Sequence, residues 1–340
     1  MQPGKLPPAV NLLTLITGHW RAQAVHVAAR LGIADVLRDG PKTVAAIATL
    51  TSAEPEALYR LLRALASLGV FVELEDGRFD LTPTAELLQS DRPGTMRSLT
   101  LSICGAPYAA WNAALYSVKT GKTAFEHVHG MPFFAYLASD PEASATFDEC
   151  MSDQSRMAHS AVVASYDFSR FSRIVDVGGG NGTLLELLLR KYPHMTGVLF
   201  DQPHVAAGAR ERLARSDVAA RCEIVEGSFF EAVPGGADAY IMAMVIHDWD
   251  DERASAILRN CHRAMGPGGR LLLSELVIPP GNLPFFGKLL DLDMLVNLGG
   301  KERTDEEYTE LLAKSGFDLI DIVPAYGPSS ALSIVEGAPR

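Results

Sequence analysis

The hydrophobic period of this chain changes twice along its length. From residue 9 to about 165, apolar side chains recur at helical spacing. Val10 to Leu31 carries one such face, and Ile33 to Leu37 continues it to the Gly40-Pro41 break. Thr43 to Leu50 predicts a short helix, and Ser52-x-Glu54-Pro55 predicts the start of another that runs through Leu58, Leu61, Leu62, Leu65 and Leu68 and stops at Gly69. The period then drops to two. Val70 to Leu74, the turn Asp76-Gly77 and Arg78 to Leu81 predict a β-hairpin, which completes a winged-helix arrangement. From Phe171 onward short apolar strands alternate with helices, the pattern of a parallel sheet covered on both faces. The expected strands are Ile174–Val177, Thr196–Phe200, Cys222–Val225, Ala239–Met244 and Arg270–Ser274, with Phe317–Val323 and Leu332–Glu336 as a closing antiparallel pair. The chain is therefore expected to be α/β, with a helical part over 1–165 and a sheet part over 166–340.

The first of these strands ends in an acid and breaks into glycines, as Ile174-Val175-Asp176-Val177-Gly178-Gly179-Gly180-Asn181-Gly182. Glycines there let the backbone approach a ligand where a Cβ would collide. A dinucleotide fingerprint requires a third glycine where Thr183 stands, which disfavours a hydride-transfer cofactor. Asp176 would repel a pyrophosphate but can accept hydrogen bonds from a ligand amine or from water. That suits a nucleoside carrying an amino acid, such as S-adenosylmethionine (SAM).

Composition narrows the partners. The 340 residues are 48% hydrophobic and 21% charged, ordinary for a globular protein, and the formal net charge of -11 repels nucleic-acid phosphate. The second helix of the winged arrangement carries only Arg60 and Arg63, so oligomerisation or a lid fits it better than DNA binding. Cys104, Cys150, Cys222 and Cys261 form no C-x-x-C pair and read as reduced structural thiols. Met1 to Pro8 lacks an apolar segment and no run reaches the roughly 18 apolar residues of a membrane helix, so a cytoplasmic location without membrane contact is expected.

Further polar positions stand at strand ends. Asp201 follows Val198-Leu199-Phe200, from which an acid reaches ribose hydroxyls, although it equally suits a helix N-cap before Pro203. Its pairing with the glycine loop tips the balance toward a ligand. His247 follows the fourth strand in Val245-Ile246-His247-Asp248-Trp249, where open α/β sheets bind ligands, and its ordinary pKa of roughly 6.5 suits a general base. Asp250 reads as a cap for the helix Glu252–Met265. Glu275 follows the apolar Leu271 to Leu273 and is expected at a strand end. Glu302, between Lys301 and Arg303, reads by itself as part of a solvated charge run. His127 and His129 lack an acid cluster and read as surface residues of a loop, not as a metal site.

Asp176 to Gly182, Phe200-Asp201-Gln202-Pro203, His247-Asp248-Trp249, Ser274 to Pro279 and Gly299-Gly300-Lys301-Glu302-Arg303-Thr304 together resemble the SAM-dependent small-molecule O-methyltransferases. That family includes plant caffeic acid and flavonoid enzymes and bacterial enzymes that methylate polyketides, phenazines and other natural products. The resemblance covers nearly the whole chain. It implies a Rossmann-like SAM methyltransferase sheet, an N-terminal winged-helix domain that forms homodimers, and methyl transfer to a hydroxyl of an aromatic or conjugated small molecule. S-adenosylhomocysteine would be the product, and no metal would be needed. It implies His247 as catalytic base flanked by Glu275 and Glu302. It places Asp176, Gly178, Gly180, Asp201, Gln202, Ser228, Phe229 and Trp249 around SAM, with Ser155 near the SAM carboxylate. Phe147, Met151, Met294 and Asn297 would line the acceptor, although Phe147 and Met151 are also spaced for plain helix packing. Two positions depart from the family pattern. Gly227-Ser228-Phe229 stands where many relatives have Asp-Met to hold adenine, and Ala243 stands where plant members often have lysine. Relatives that bind SAM yet hydroxylate, decarboxylate or catalyse pericyclic steps form the alternative, and a SAM-sensing DNA-binding regulator is a more distant one.

Overall fold

A computed structural model describes residues 6–327 and 330–340, and the side chains of 154–157, 326, 327 and 330 lie outside the description. Its contacts divide the chain into two compact units, 1–109 with 137–153, and 110–136 with 154–340. Where the sequence places one boundary near 165, the chain thus passes between units three times. The Pro141–Ser165 helix contributes residues to both.

The first unit contains the winged arrangement. The helical stretch expected over Val10–Leu31 is two helices, Pro8–Ile16 and Gly18–Arg30, separated at Thr17. The short strand β1 (Lys42–Thr43) precedes the helices Val44–Thr51 and Pro55–Ser67, and the hairpin strands β2 (Phe71–Glu73) and β3 (Arg78–Leu81) follow. They pair in the order β1-β3-β2. Glu54 caps the second helix by accepting from the backbone N–H groups of Glu56 at 3.1 Å and Ala57 at 2.7 Å. Its apolar face, Leu58, Leu62 and Leu65, is buried against Ile33, Leu37, Ile47, Phe71 and Phe79. Each such side chain removed from water is worth roughly 1.5–3 kcal/mol, which holds helices and hairpin together.

The second unit is built on β4 (Arg173–Val177), β5 (Thr196–Asp201), β6 (Cys222–Glu226), β7 (Ala239–Ala243), β8 (Arg270–Ile278), β9 (Arg303–Thr304), β10 (Phe317–Gly327) and β11 (Ser330–Pro339). The order is β10-β11-β8-β7-β4-β5-β6, with β9 against β8. β4 to β9 pair in parallel, and β10 and β11 join antiparallel at one edge. Ile174, Leu199, Ile241 and Leu272 feed the core on one face, and Val175, Val198, Met242 and Leu273 that on the other. This doubled burial explains why the strands read as unbroken apolar runs. β4 has β5 on one side and β7 on the other, so the order reverses between β4 and β7. The crevice at that switch point is where such sheets bind ligands. The glycine loop follows β4, and His247 follows β7. Among the described residues, no helix is long and apolar enough to cross a membrane.

Candidate active site

Three local features bring His247 into position. β7 ends at Ala243, which is in register with Ser274, and Met244 then takes a left-handed backbone with φ 55°. Such a conformation is uncommon outside glycine and redirects the chain into the Ile246–Asp248 turn. β8 runs on past the end of β7, so its next side chain, Glu275, faces backbone that has left the ladder. Glu275 Oε1 accepts from Val245 N at 3.1 Å and Ile246 N at 2.8 Å, replacing the lost strand partner. The third feature is the Gly299-Gly300 turn. A Cβ on Gly300 would stand 2.1 Å from the His247 carbonyl, so only glycine lets the next residue, Lys301, donate its N–H to that oxygen at 2.7 Å.

The turn delivers Glu302 to the ring. His247 Nδ1 lies 2.7 Å from Glu302 Oε1 and 3.8 Å from Glu275 Oε2, and Nε2 lies 3.4 Å from Asp248 Oδ1. His247 is 6% exposed, Glu302 1% and Glu275 0%. Burial works against a charged ring, but Asp248, Glu275 and the bond to Glu302 outweigh it and push the His247 pKa up to about 10. Burial pushes Glu275 up to about 7, with the facing histidine pulling the other way. Asp248 is also raised, by burial first. With Nδ1 held by a carboxylate, Nε2 is the ring nitrogen left able to exchange a proton.

The glycine loop forms the other half. Asp176 is 2% exposed, its Oδ2 has no hydrogen-bond partner, and burial followed by the charge of Asp201 pushes it up to about 7. An orphaned buried acceptor at the foot of a glycine loop fits a donor-bearing ligand. Gly180 has φ 57° with open space where a Cβ would stand, and its N–H donates to Asp201 Oδ2 at 2.8 Å. Asp201 therefore turns to the loop and does not cap the following helix, whose N-cap is Gln202. Phe229 and Trp249 meet edge to face with centroids 6.0 Å apart, and Phe230 meets Trp249 at 4.8 Å. These aromatic faces and acids can hold a nucleoside that carries an amino acid.

The structure brings His247, Glu275 and Glu302 together in one cluster and sets Asp176, Gly178, Gly180 and Asp201 around one loop. Gln202 follows that loop's acid and is exposed. Ser228 accepts from Phe230 N at 3.3 Å, so part of its hydroxyl's capacity is used locally. Met294 and Asn297 are buried in a π-helical turn, Met294–Leu298, that leads into Gly299. Phe147 and Met151 belong to the first unit, and the Ser155 side chain lies outside the described residues. Several expectations need correction. Glu275 is inside β8, which continues through Leu276-Val277-Ile278, and not at a strand end. Glu302 and Arg303 are buried and not part of a solvated run, because β9 pairs with β8. His127 and His129 lie on a helix, Ala124–His129, where His127 stacks on Tyr116 at 4.2 Å. Asp248 beside Nε2 was missed as a site residue. Its only signal was adjacency to His247, which spacing alone does not distinguish from a surface acid.

Comparison with known proteins bears on this geometry. A profile of the O-methyltransferase domain matches residues 111–318, and one of the O-methyltransferase dimerisation domain matches residues 13–91. A phenazine O-methyltransferase of Lysobacter antibioticus is 48% identical over 336 residues, covering 99% of this chain and 98% of that one. The chain belongs to the O-methyltransferase family. This O-methyltransferase superimposes with a TM-score of 0.82 and 36% identity on an O-methyltransferase from neocarzinostatin biosynthesis, solved with SAM and 2-hydroxy-5-methyl naphthoic acid, over 94% of this chain and 96% of that one. The aclacinomycin 10-hydroxylase of Streptomyces purpurascens is also similar, 37% identical over 316 residues, covering 91% of this chain and 83% of that one. As a SAM-dependent enzyme, the O-methyltransferase has in its glycine loop, Asp176 and Asp201 groups that fit SAM.

Proposed function

We propose that this O-methyltransferase methylates a hydroxyl of an aromatic or conjugated natural product, with His247 as general base. The observation that carries the reading is the 2.7 Å contact of His247 Nδ1 with buried Glu302, which leaves Nε2 as the atom that takes the hydroxyl proton. Asp176, Gly178, Gly180, Asp201, Phe229 and Trp249 would hold SAM, which supplies an electrophilic methyl group when bound. Glu302 keeps the ring oriented, and the imidazolium formed on proton uptake is stabilised by Glu302 and Glu275. Asp248, beside Nε2, faces the same proton. Met294 and Asn297, buried in the turn before Gly299, would line the acceptor. The similarity to a phenazine O-methyltransferase and to an enzyme solved with 2-hydroxy-5-methyl naphthoic acid supports an aromatic acceptor. Residues 1–165 would serve homodimerisation and residues 166–340 would supply the cofactor site and the base, in a cytoplasmic enzyme.

The test is a mass-detected screen of phenolic acceptors that scores S-adenosylhomocysteine together with a product 14 mass units heavier, one methylene. His247→Ala is expected to lose about 10²–10⁴-fold in turnover with little change in SAM affinity. Unaltered turnover on the acceptor found would remove His247 from the base role. The second reading, a SAM-binding hydroxylation, is favoured by the similarity to the 10-hydroxylase. It requires dioxygen as an external oxidant and an oxygenated product without release of S-adenosylhomocysteine, so the same screen separates the two.

A further inference from the structure

Among the described residues, Arg303 is the largest fully buried side chain. A guanidinium taken out of water persists only where its fork of donors is matched. Here Nη1 donates to the carbonyls of Ile246 at 3.2 Å and Lys301 at 3.1 Å, and Nη2 donates to the Trp249 carbonyl at 2.9 Å. Nε reaches Asp251 Oδ1 at 3.0 Å, and Nη2 approaches the same oxygen at 2.9 Å. Ile246 and Trp249 bracket His247 and Asp248, while Arg303 itself follows Glu302 on β9. One planar group therefore joins both ends of the histidine turn to β9, whose first residue directly follows the histidine's partner Glu302. The residue at the far end of the grip, Trp249, is the one whose ring stands against Phe229.

We propose that Arg303 is a positioning residue that sets the His247–Glu302 contact and the Phe229–Trp249 wall together, so that the proton-accepting and cofactor-holding halves of the site share one anchor. Fully buried, it acts through the backbone carbonyls it holds. The geometry demands a fork: a lysine at 303 keeps the charge but presents a single donor point, which cannot reach the Ile246 and Trp249 carbonyls and the Asp251 carboxylate at once. A role limited to charge or to bulk stability predicts that lysine serves.

This inference rests on the proposed roles of His247 and Trp249, and its test needs neither an acceptor nor methyl transfer, so it fails or survives separately from them. In Arg303→Lys, the His247 titration is followed by NMR on histidine-labelled full-length protein, with the signal assigned from His247→Gln. S-adenosylhomocysteine affinity is measured by calorimetry, and folding by a thermal melt. The expected result is a cooperatively folded protein in which the His247 midpoint falls by at least one pH unit and S-adenosylhomocysteine binds about tenfold more weakly. The midpoint falls because Glu302, Glu275 and Asp248, the charges facing the ring, are no longer held in register with it. A folded Arg303→Lys protein with either readout unchanged overturns the shared anchor. Should that variant not fold, Asp251→Ala carries the test, because the Asp251 side chain is 56% exposed and its removal takes away the acceptor that holds Nε and Nη2 of the same fork. Displacement of both readouts in the same directions supports the proposal, and constancy of either one overturns it.

Discussion

At the scale of residues, the proposed role of His247 as base turns on its protonation. Burial alone would strip its proton, yet Asp248, Glu275 and Glu302 reverse that and raise its pKa to about 10. At neutral pH the free ring is therefore charged, and the productive complex holds one proton fewer than the charged ring plus a neutral hydroxyl. The upward shift brings the ring toward a phenol, which ionises near 10, and so lowers the cost of passing the shared proton. We expect kcat/KM to climb with pH between 6 and 9. Glu302→Gln removes a partner that raises the pKa, so the rise should move to lower pH while the maximal rate drops. A flat pH-rate profile in the parent enzyme would contradict this account. Asp201 carries a separate expectation. Its two oxygens accept from Gly180 N at 2.8 Å and Gln202 N at 2.7 Å, so it shapes the glycine loop as well as offering an acceptor. Asp201→Ala is expected to weaken SAM binding about tenfold or more by calorimetry, and unchanged affinity would leave it a purely local role.

At the scale of elements, the Gly299-Gly300 turn is the most constrained joint. An added Cβ at 300 meets backbone on both His247 and Asp248, at 2.1 and 2.7 Å, and backbone cannot give way as a side chain can. Gly300→Ala should therefore break the Lys301–His247 bond, lower stability by about 1–3 kcal/mol in urea denaturation, and reduce turnover by about 10²-fold through displacement of the base. A stable and fully active Gly300→Ala enzyme would mean that the turn does not position the histidine. Element boundaries were legible where one force dominated. β4 to β7 were read to within a residue or two because strands buried on both faces leave continuous apolar runs. Asp250 was legible as a cap because only its local chemistry matters, and it accepts from Arg253 N at 2.9 Å. The extent of β8 was not legible, since two polar residues, Ser274 and Glu275, look like an end until Val245 and Ile246, just past β7, are seen to donate to the Glu275 carboxylate. The Thr17 break and the Ala124–His129 helix were missed because short helices take their boundaries from packing more than from periodicity.

At the scale of the whole molecule, the Pro8–Ile16 helix presents Leu12, Leu13, Leu15 and Ile16 to solvent at 56–68% exposure. Contiguous exposed apolar side chains mark an association surface, and the match to a dimerisation domain begins at residue 13. We expect sedimentation to report a homodimer, and Leu12→Glu combined with Leu15→Glu to shift it toward monomer; a monomeric parent chain would refute the association. The sequence by itself determined the α/β class, the winged arrangement, the strand series, the glycine loop and the residues from which a SAM-dependent methyl transfer was inferred. These depend on period, on backbone permissiveness and on short ordered motifs, all of which are local. Only the tertiary structure decided that Glu302 and Arg303 are buried, that Glu275 replaces a ladder partner, that Asp248 stands 3.4 Å from His247 Nε2, and that Asp201 serves the loop and not the helix. A charged residue reads alike in a solvated run and in a buried pair until the strand that covers it is in place, because desolvation and partner geometry are properties of the packed chain.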